Sequence, residues 1–251
     1  MNIAVVELDA RCGSRTAMLQ GALTSIDIAA ELDPAPDLIV LPAFADLDRV
    51  RAGNSEHIER IIGQTSAAIG QRGRSWGVFV SFGMAAREGD RIIAATILLD
   101  SDGDMIAAHR SAIDAAATGL KDVPACQMTD TIFGRIALMG DAGIDRLAAW
   151  ENAARGGAGL VIATFGAKAV MNPKRAAALG VTLKRLGMPF ACAGLVEHPG
   201  GSRDATEIDR ASMIFDASGE PIDRPVRHSS SVRTASIRFR VAESAASPDV
   251  E

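Results

Sequence analysis

The chain has 251 residues, of which 48% are hydrophobic and 23% are charged, as in an ordinary globular protein. Its 26 basic and 31 acidic side chains are interspersed and give a net charge of −5, which excludes the concentrated basic face that nucleic-acid binding requires. No apolar run approaches the roughly 18 residues of a membrane-spanning helix, and residues 1–7 do not resemble a secretion leader, so we expect no membrane contact.

Three widely spaced cysteines, Cys12, Cys126 and Cys192, favour a reducing compartment over a disulfide framework. No pair of them has the spacing of metal ligands, so no metal or cofactor is predicted. We therefore expect a cytoplasmic protein.

The first half of the chain begins with alternating strands and helices. Short apolar runs at residues 3–6 and 38–41 predict buried strands, and the apolar positions between them recur at helical spacing. Ser55 is a candidate cap for a second helix that ends near Gly73 and is followed by a strand at residues 76–82. The predicted core-facing positions of the two helices are Leu19, Leu23, Ile26 and Ala30, and then Ile58, Ile61, Ile62 and Ile69.

A hairpin and further alternation follow. Segments 91–99 and 105–107 flank Asp102-Gly103, a pair that tolerates the positive φ of a tight turn, and a similar turn surrounds Ser218 and Gly219. The remaining predicted strands are 136–139, 160–163, 190–196, 211–215 and 234–239, with helices at 145–155 and from Asn172-Pro173 onward.

Strands that alternate with helices, interrupted by hairpins, predict a mixed sheet with helical layers. We expect one domain over residues 1–241 and a frayed tail over 242–251, with no internal repeat.

Taken in order, these segments resemble the nitrilase family of carbon-nitrogen hydrolases over almost the whole chain. The resemblance rests on the segment 37–42 that ends at Pro42, on His109-Arg110 after the hairpin, on residues 133–136, on 156–158 before Leu160, and on 212–220. It implies an α/β fold, a four-layer α-β-β-α sandwich with mixed sheets, that commonly dimerises through a helical face.

The chain departs from the family at all three catalytic positions. The family's glutamate follows the proline matching Pro42, where this chain has Ala43. Its lysine follows the pair matching His109-Arg110, where this chain has Ser111. Its cysteine lies at the position of Asp141, and no cysteine occurs between Cys126 and Cys192.

These losses remove the chemistry of the family. Thiol attack on an amide or nitrile needs a base, a nucleophile that forms an acyl intermediate, and a donor for the oxyanion. Ala43 supplies no base, Ser111 supplies no charge, and the carboxylate of Asp141 is a poor nucleophile toward an amide. Catalytic groups act as a unit, so no competent catalytic residue is predicted.

The sequence leaves alternatives at several positions. Arg110, Ser111 and Asp141 are consistent with a repurposed hydrolase site, in which Arg110 neutralises the carboxylate; the competing interpretation places Asp141 in a turn before the 145–155 helix. His109 is interpreted as a packing residue and Cys192 as a core residue. Glu197 and His198, at a strand end, are candidate ligand-binding residues together with Arg110.

The leading hypothesis is a nitrilase-fold pseudoenzyme that binds a partner subunit or a small molecule. The alternative is a hydrolase of carbon-nitrogen bonds other than peptide bonds, with the repurposed site. We expect a homodimer, or a heteromer with a nitrilase-like subunit, with Leu147 and Trp150 in the interface. Burial of Trp150 within its own subunit is the other interpretation of that residue.

Overall fold

The computed structural model describes residues 1–10, 14–44, 58–112, 126–166, 172–196, 212–226 and 229–238. The helices in these ranges are α1 (Arg15–Ala30), α2 (Gln64–Trp76), α3 (Asp141–Ile144), α4 (Leu147–Arg155) and α5 (Pro173–Leu186). The strands are β1 (Asn2–Val6), β2 (Leu8–Asp9), β3 (Leu38–Ala43), β4 (Phe79–Glu88), β5 (Arg91–Leu99), β6 (Met105–Ala112), β7 (Gln127–Thr131), β8 (Gly134–Met139), β9 (Leu160–Phe165), β10 (Phe190–Val196), β11 (Met213–Phe215), β12 (Arg224–Val226) and β13 (Ser229–Ser236).

The described strands form two sheets that pack face to face. The first has the order β12-β13-β1-β3-β4-β5-β6 and the second the order β11-β10-β9-β8-β7. The first is mixed, since β1, β3 and β4 run parallel while β5 is antiparallel to β4 and β6. The second is mixed as well, since β8, β9 and β10 run parallel and are flanked by antiparallel β7 and β11. The chain crosses between the sheets at once, because β1 lies in the first sheet and β2 pairs with β10 of the second.

Three layers of apolar side chains hold the sandwich together. The inner faces of the two sheets meet at residues such as Val5, Val40 and Ile162. The outer face of the first sheet is covered by α1 and α2, and that of the second by α4 and α5. Each fully buried Leu or Ile side chain stabilises the fold by roughly 1.5–3 kcal/mol relative to exposure. The predicted α-β-β-α sandwich with mixed sheets is confirmed.

The second helix differs most from its prediction. Ser55 lies outside the described residues, and α2 begins only after Gly63. Residues 61–63 are not helical and do not form the predicted core-facing stripe. Ile61 is buried, whereas its neighbour Ile62 is 80% exposed. The helix also continues past Gly73 to Trp76 and ends at Gly77 with φ of 65°. The strand predicted from residue 76 therefore begins at Phe79.

Helix α5 ends like α2, a local similarity that the sequence analysis did not identify. Gly187 caps it with φ of 62°, as Gly77 caps α2, and a glycine lies seven residues before each cap, Gly70 in α2 and Gly180 in α5.

Each helix glycine rests on a tight turn of the same construction. A β-carbon at Gly70 would lie 2.6 Å from the carbonyl oxygen of Gly103, and one at Gly180 would lie 2.6 Å from that of Gly219. Both turn glycines have positive φ. In each turn, the aspartate that begins it accepts hydrogen bonds from the backbone N–H groups two and four residues later. Each half of the sandwich therefore docks one helix onto one turn through paired glycines.

No helix within the described ranges is long and apolar enough to cross a membrane. The tail expected at residues 242–251 lies outside those ranges, as does Phe239 of the predicted last strand; β13 ends at Ser236.

Candidate functional site

The three positions matching the family's catalytic residues all lie at carboxyl ends of strands. Ala43 is the last residue of β3, Ser111 is the second-last of β6, and Asp141 follows β8 by two residues. Strands β3 and β6 run in the same direction in the first sheet, because two antiparallel steps separate β6 from β4. Ligand sites in α/β sheets commonly lie beyond such ends.

Ala43 belongs to an apolar cluster on the inner face of the first sheet, which also contains Ile58 and Ile92. It is fully buried and packs with Ala85 and Ala94 of the two following strands, a group that we call the alanine floor. The backbone approach is close: a β-carbon at Gly83 would lie 2.7 Å from that of Ala43. Ala94 pairs with Ser111, so the alanine floor spans β3 to β5 and adjoins Ser111 of β6. No ionisable side chain belongs to this cluster.

A pair of threonine hydroxyls joins the two sheets beside the alanine floor. Thr96 of β5 and Thr164 of β9 approach to 3.0 Å between their Oγ1 atoms. Thr96 also donates to the carbonyl oxygen of Met139 at 3.3 Å, so Thr164 is the donor of the shared bond. Both residues are buried, and their hydroxyls satisfy each other across the sandwich.

His109 and Ser111 lie on the same inner face and contact the chain just before Asp141. A β-carbon at Gly140 would lie 2.8 Å from the Ser111 hydroxyl oxygen and 3.5 Å from Nε2 of His109. A β-carbon at position 140 would therefore require the Ser111 hydroxyl to rotate away from β8. A series of neighbouring residues connects the two parts of the candidate site. Gly83 lies against Ala43 and Thr164, Thr164 bonds to Thr96, and Thr96 pairs with His109 in the sheet.

The His109 ring is neutral and has no hydrogen bond within the described part of the chain. It is 4% exposed, and burial lowers its pKa from 6.5 to about 4. Neither ring nitrogen pairs with a described residue, and the partly exposed Ser111 hydroxyl likewise has no partner there. Buried polar groups are nearly always hydrogen-bonded, and an unsatisfied one costs about 1–3 kcal/mol.

Asp141 faces a cation that the sequence analysis missed. Arg175, in the first turn of α5, lies 3.9 Å from the Asp141 carboxylate and holds Asp145 through two bonds of 2.9 and 3.1 Å. Its guanidinium also stacks 5.9 Å from the ring centre of Phe165, at the end of β9. The only sequence signal was the Asn172-Pro173 helix start, which is confirmed: Asn172 caps α5 by accepting from Arg175 N.

Arg110 does not neutralise Asp141, which corrects the sequence interpretation. Its side chain is paired with Glu88 at 3.0 Å and is 45% exposed. Successive residues of a strand face opposite sides, and Ser111 faces the inner side with His109. Arg110 therefore lies on the outer face of the sheet, away from the candidate site.

Asp141 begins the short helix α3, in which the Gly143 N–H donates to the Gly140 carbonyl oxygen at 2.9 Å. This geometry agrees with the alternative interpretation, in which the segment leads into the next helix.

Neither described cysteine has the properties of a nucleophile. Cys126 and Cys192 are buried free thiols in the core beneath α4 and α5. Burial raises the pKa of both thiols, so neither is ionised at neutral pH.

Trp150, predicted as an interface anchor, lies inside its own subunit. It is 1% exposed, its Nε1 donates to the Ile144 carbonyl oxygen at 2.8 Å, and its ring packs edge-on against Phe190 at 5.3 Å. Leu147 remains 44% exposed on the same helix. Glu197 and His198 lie outside the described residues.

A groove of about 870 Å³ lies at the opposite end of the sheets. It is bordered by Asn2 at the start of β1, by Pro34 and by Ser236 at the end of β13. None of the candidate site residues lines it, so its volume does not bear on the chemistry of Ser111 and Asp141.

No family model and no curated protein matches the chain. Several solved structures match it in fold. An amidase from Nesterenkonia sp. AN1 in complex with butyramide superposes with a TM-score of 0.72 at 15% identity, covering 93% of this chain and 89% of that one. A second structure of that amidase gives 0.71 at 16% identity, with 94% and 92% covered. A variant described as belonging to the nitrilase superfamily gives 0.68 at 16% identity, with 93% and 89% covered. The chain therefore has the α/β fold, with mixed sheets, of nitrilase-superfamily amidases.

Proposed function

We propose that this chain is a member of the nitrilase superfamily that lacks the hydrolytic triad and binds a small molecule or a companion subunit. The observation that carries the proposal is the ion pair of Asp141 with Arg175. Asp141 stands where the resemblance places the nucleophile, and its carboxylate faces the guanidinium of Arg175.

The surroundings support the same conclusion. A buried methyl group at Ala43 accepts no proton, and the alanine floor around it offers no carboxylate. Ser111 lacks the positive charge that would stabilise an oxyanion. Loss of one member of a catalytic set already removes most of the rate, so loss of three leaves little beyond binding.

The alternative is a repurposed hydrolase that uses Ser111 and Asp141 without Arg110. A panel of short amides, nitriles, carbamoyl compounds and activated esters, followed by product analysis and intact-protein mass, separates the two. We expect no turnover and no covalent adduct. Turnover by the unmodified protein that disappears in Asp141→Ala would establish the alternative.

Reinstalling the missing groups tests why the protein is inactive. Asp141→Cys alone should not acylate, because without a base or a cation its thiol keeps a pKa near about 8.5. Adding Ala43→Glu and Ser111→Lys supplies both, and the triple variant should form a slow acyl adduct with an activated ester. A triple variant that folds without acylating would show that the alanine floor has no room for the new carboxylate, which favours the partner-binding role.

We further propose that the protein is cytoplasmic and assembles as a homodimer, or as a heteromer with a nitrilase-like subunit. Support comes from the exposed aliphatic side chains of α4 and α5, Leu147 and Val181, beside a groove of about 330 Å³ between those helices. The free thiols of Cys126 and Cys192 are consistent with a reducing compartment.

A further inference from the structure

Arg175 belongs both to the candidate site and to the helical face of α4 and α5. Its guanidinium lies 3.9 Å from the carboxylate of Asp141 and forms two hydrogen bonds with Asp145. The same side chain borders the groove of about 330 Å³ between α4 and α5. A change at Asp141 can therefore reach the outer face of these two helices through one side chain.

Asp145 alone holds Arg175 only weakly. The Asp145 carboxylate is 70% exposed, and ion pairs at such exposed positions contribute little because water and salt screen both charges. Two more sheltered contacts supplement it. The Asp141 carboxylate is 30% exposed, and the buried ring of Phe165 lies 5.9 Å from the guanidinium. A guanidinium that stacks on a ring and faces carboxylates keeps one orientation, so these contacts fix Arg175 in the wall of the groove.

The groove and its surroundings fit a second copy of this chain. Val181 of α5 is exposed and stands between this groove and another of about 480 Å³ on the other side of the helix. A two-fold axis places the same surface patch of both copies in contact, so each Val181 can enter a groove of the other copy. Asp145 and Arg185 border the first groove and supply charges of both signs, which a self-complementary contact uses in pairs.

We propose that Asp141 is a positioning residue for self-association, in which it holds Arg175 in the wall of the groove that receives the second copy. The position that matches the family's nucleophile thus supports an interface. This inference rests on the proposed function, because it requires assembly through α4 and α5, and it names two residues on which that assembly depends.

The dissociation constant of the dimer measures this role. Sedimentation of the full-length protein at low salt compares the unmodified chain with Asp141→Asn, with Arg175→Gln and with the double variant. We expect each single substitution to weaken the dimer about fivefold, because a modest contact is lost twice in a two-fold interface. The double variant should dissociate no more readily than Arg175→Gln, since Asp141 acts only through that guanidinium. High salt should reduce the effect of Asp141→Asn.

The double variant distinguishes positioning from a merely structural role of Asp141 at the start of α3. A structural defect would weaken the dimer further even when Arg175 is already replaced. The matched control is Asp27→Asn, because Asp27 is 31% exposed and is paired with Arg72 on the helical layer of the other sheet. It should leave the dissociation constant unchanged. Equal dissociation constants for the unmodified protein and Asp141→Asn, or additive effects in the double variant, would overturn the positioning role.

The outcomes also separate this inference from the proposed function. A dimer that does not respond to Asp141→Asn contradicts the positioning role alone. An unmodified protein that stays monomeric contradicts both the homodimer and the positioning role. Turnover that disappears in Asp141→Ala contradicts the absence of hydrolysis, while a weaker dimer of Asp141→Asn in the same preparations would still support the positioning role.

Discussion

Burial sets the protonation state of His109 and thereby ties the stability of the fold to pH. The folded ring has a pKa of about 4, whereas the unfolded ring keeps 6.5. Above pH 6.5 both states are neutral and His109 contributes no pH dependence. Between pH 6.5 and 4 the unfolded state binds a proton that the folded state does not, so stability decreases as the pH falls.

We predict that His109→Gln removes this dependence. The free energy of unfolding of the unmodified protein should fall by about 3 kcal/mol relative to the variant between pH 6.5 and 4, since each pH unit is worth about 1.4 kcal/mol. Urea unfolding of both proteins across that range measures the difference, in which the shared titration of acidic groups cancels. Parallel curves would show that the folded ring titrates normally.

Residue roles were predictable only where the strand pattern fixes them. The proposal that Ala43, Ser111 and Asp141 lack catalytic chemistry comes from the sequence alone. The sequence does not indicate the cation beside Asp141, because Arg175 belongs to a helix 34 residues later. Applying strand alternation to His109, Arg110 and Ser111 would have placed Arg110 on the outer face.

At the scale of the secondary-structure elements, the paired glycines predict how glycine-to-alanine substitutions change the stability of the fold. Alanine in place of glycine ordinarily stabilises a helix by about 1 kcal/mol. Gly21 of α1 has no atom closer than 3.9 Å to a new β-carbon, so Gly21→Ala should stabilise by up to about that amount. Gly70→Ala would instead meet the Gly103 carbonyl oxygen and should destabilise by about 1–3 kcal/mol.

Urea unfolding of the two variants tests this difference in sign. Gly180→Ala should behave like Gly70→Ala, because it meets the equivalent turn at Gly219. Equal stabilisation at positions 21 and 70 would mean that α2 can move away from its turn without cost.

The presence of most strands and helices was predictable from the sequence, but the residues at which they end were less so. The strands at 91–99 and 190–196 and the helix beginning after Asn172 match their predictions, since apolar runs and a capping residue bound them clearly. The end of α2 does not match its prediction. Gly73 packs inside the helix against Val80, and the later Gly77 takes the left-handed conformation that ends it. A single sequence does not distinguish a packing glycine from a capping one.

At the scale of the whole molecule, the proposed dimer depends on the face of α4 and α5. Val181 is 71% exposed in α5, and we predict that Val181→Asp converts the dimer to a monomer by light scattering at micromolar concentration. The matched control, Ile132→Asp, changes a residue that is 82% exposed in the β7–β8 turn and should leave the mass unchanged. A monomeric unmodified protein would reject the homodimer and leave a heteromer as the assembly.

The pairing of β1 constrains how the chain can fold during synthesis. β1 leaves the ribosome before its parallel neighbour β3, which follows within about 40 residues. Its other edge stays open until β13 is made, because Asn2 pairs with Ser236 and Val6 with Val232. An open strand edge invites pairing with other chains. Nascent chains of this protein therefore carry an unprotected edge from the synthesis of β1 until that of β13, which makes them candidates for chaperone binding until β13 closes the sheet.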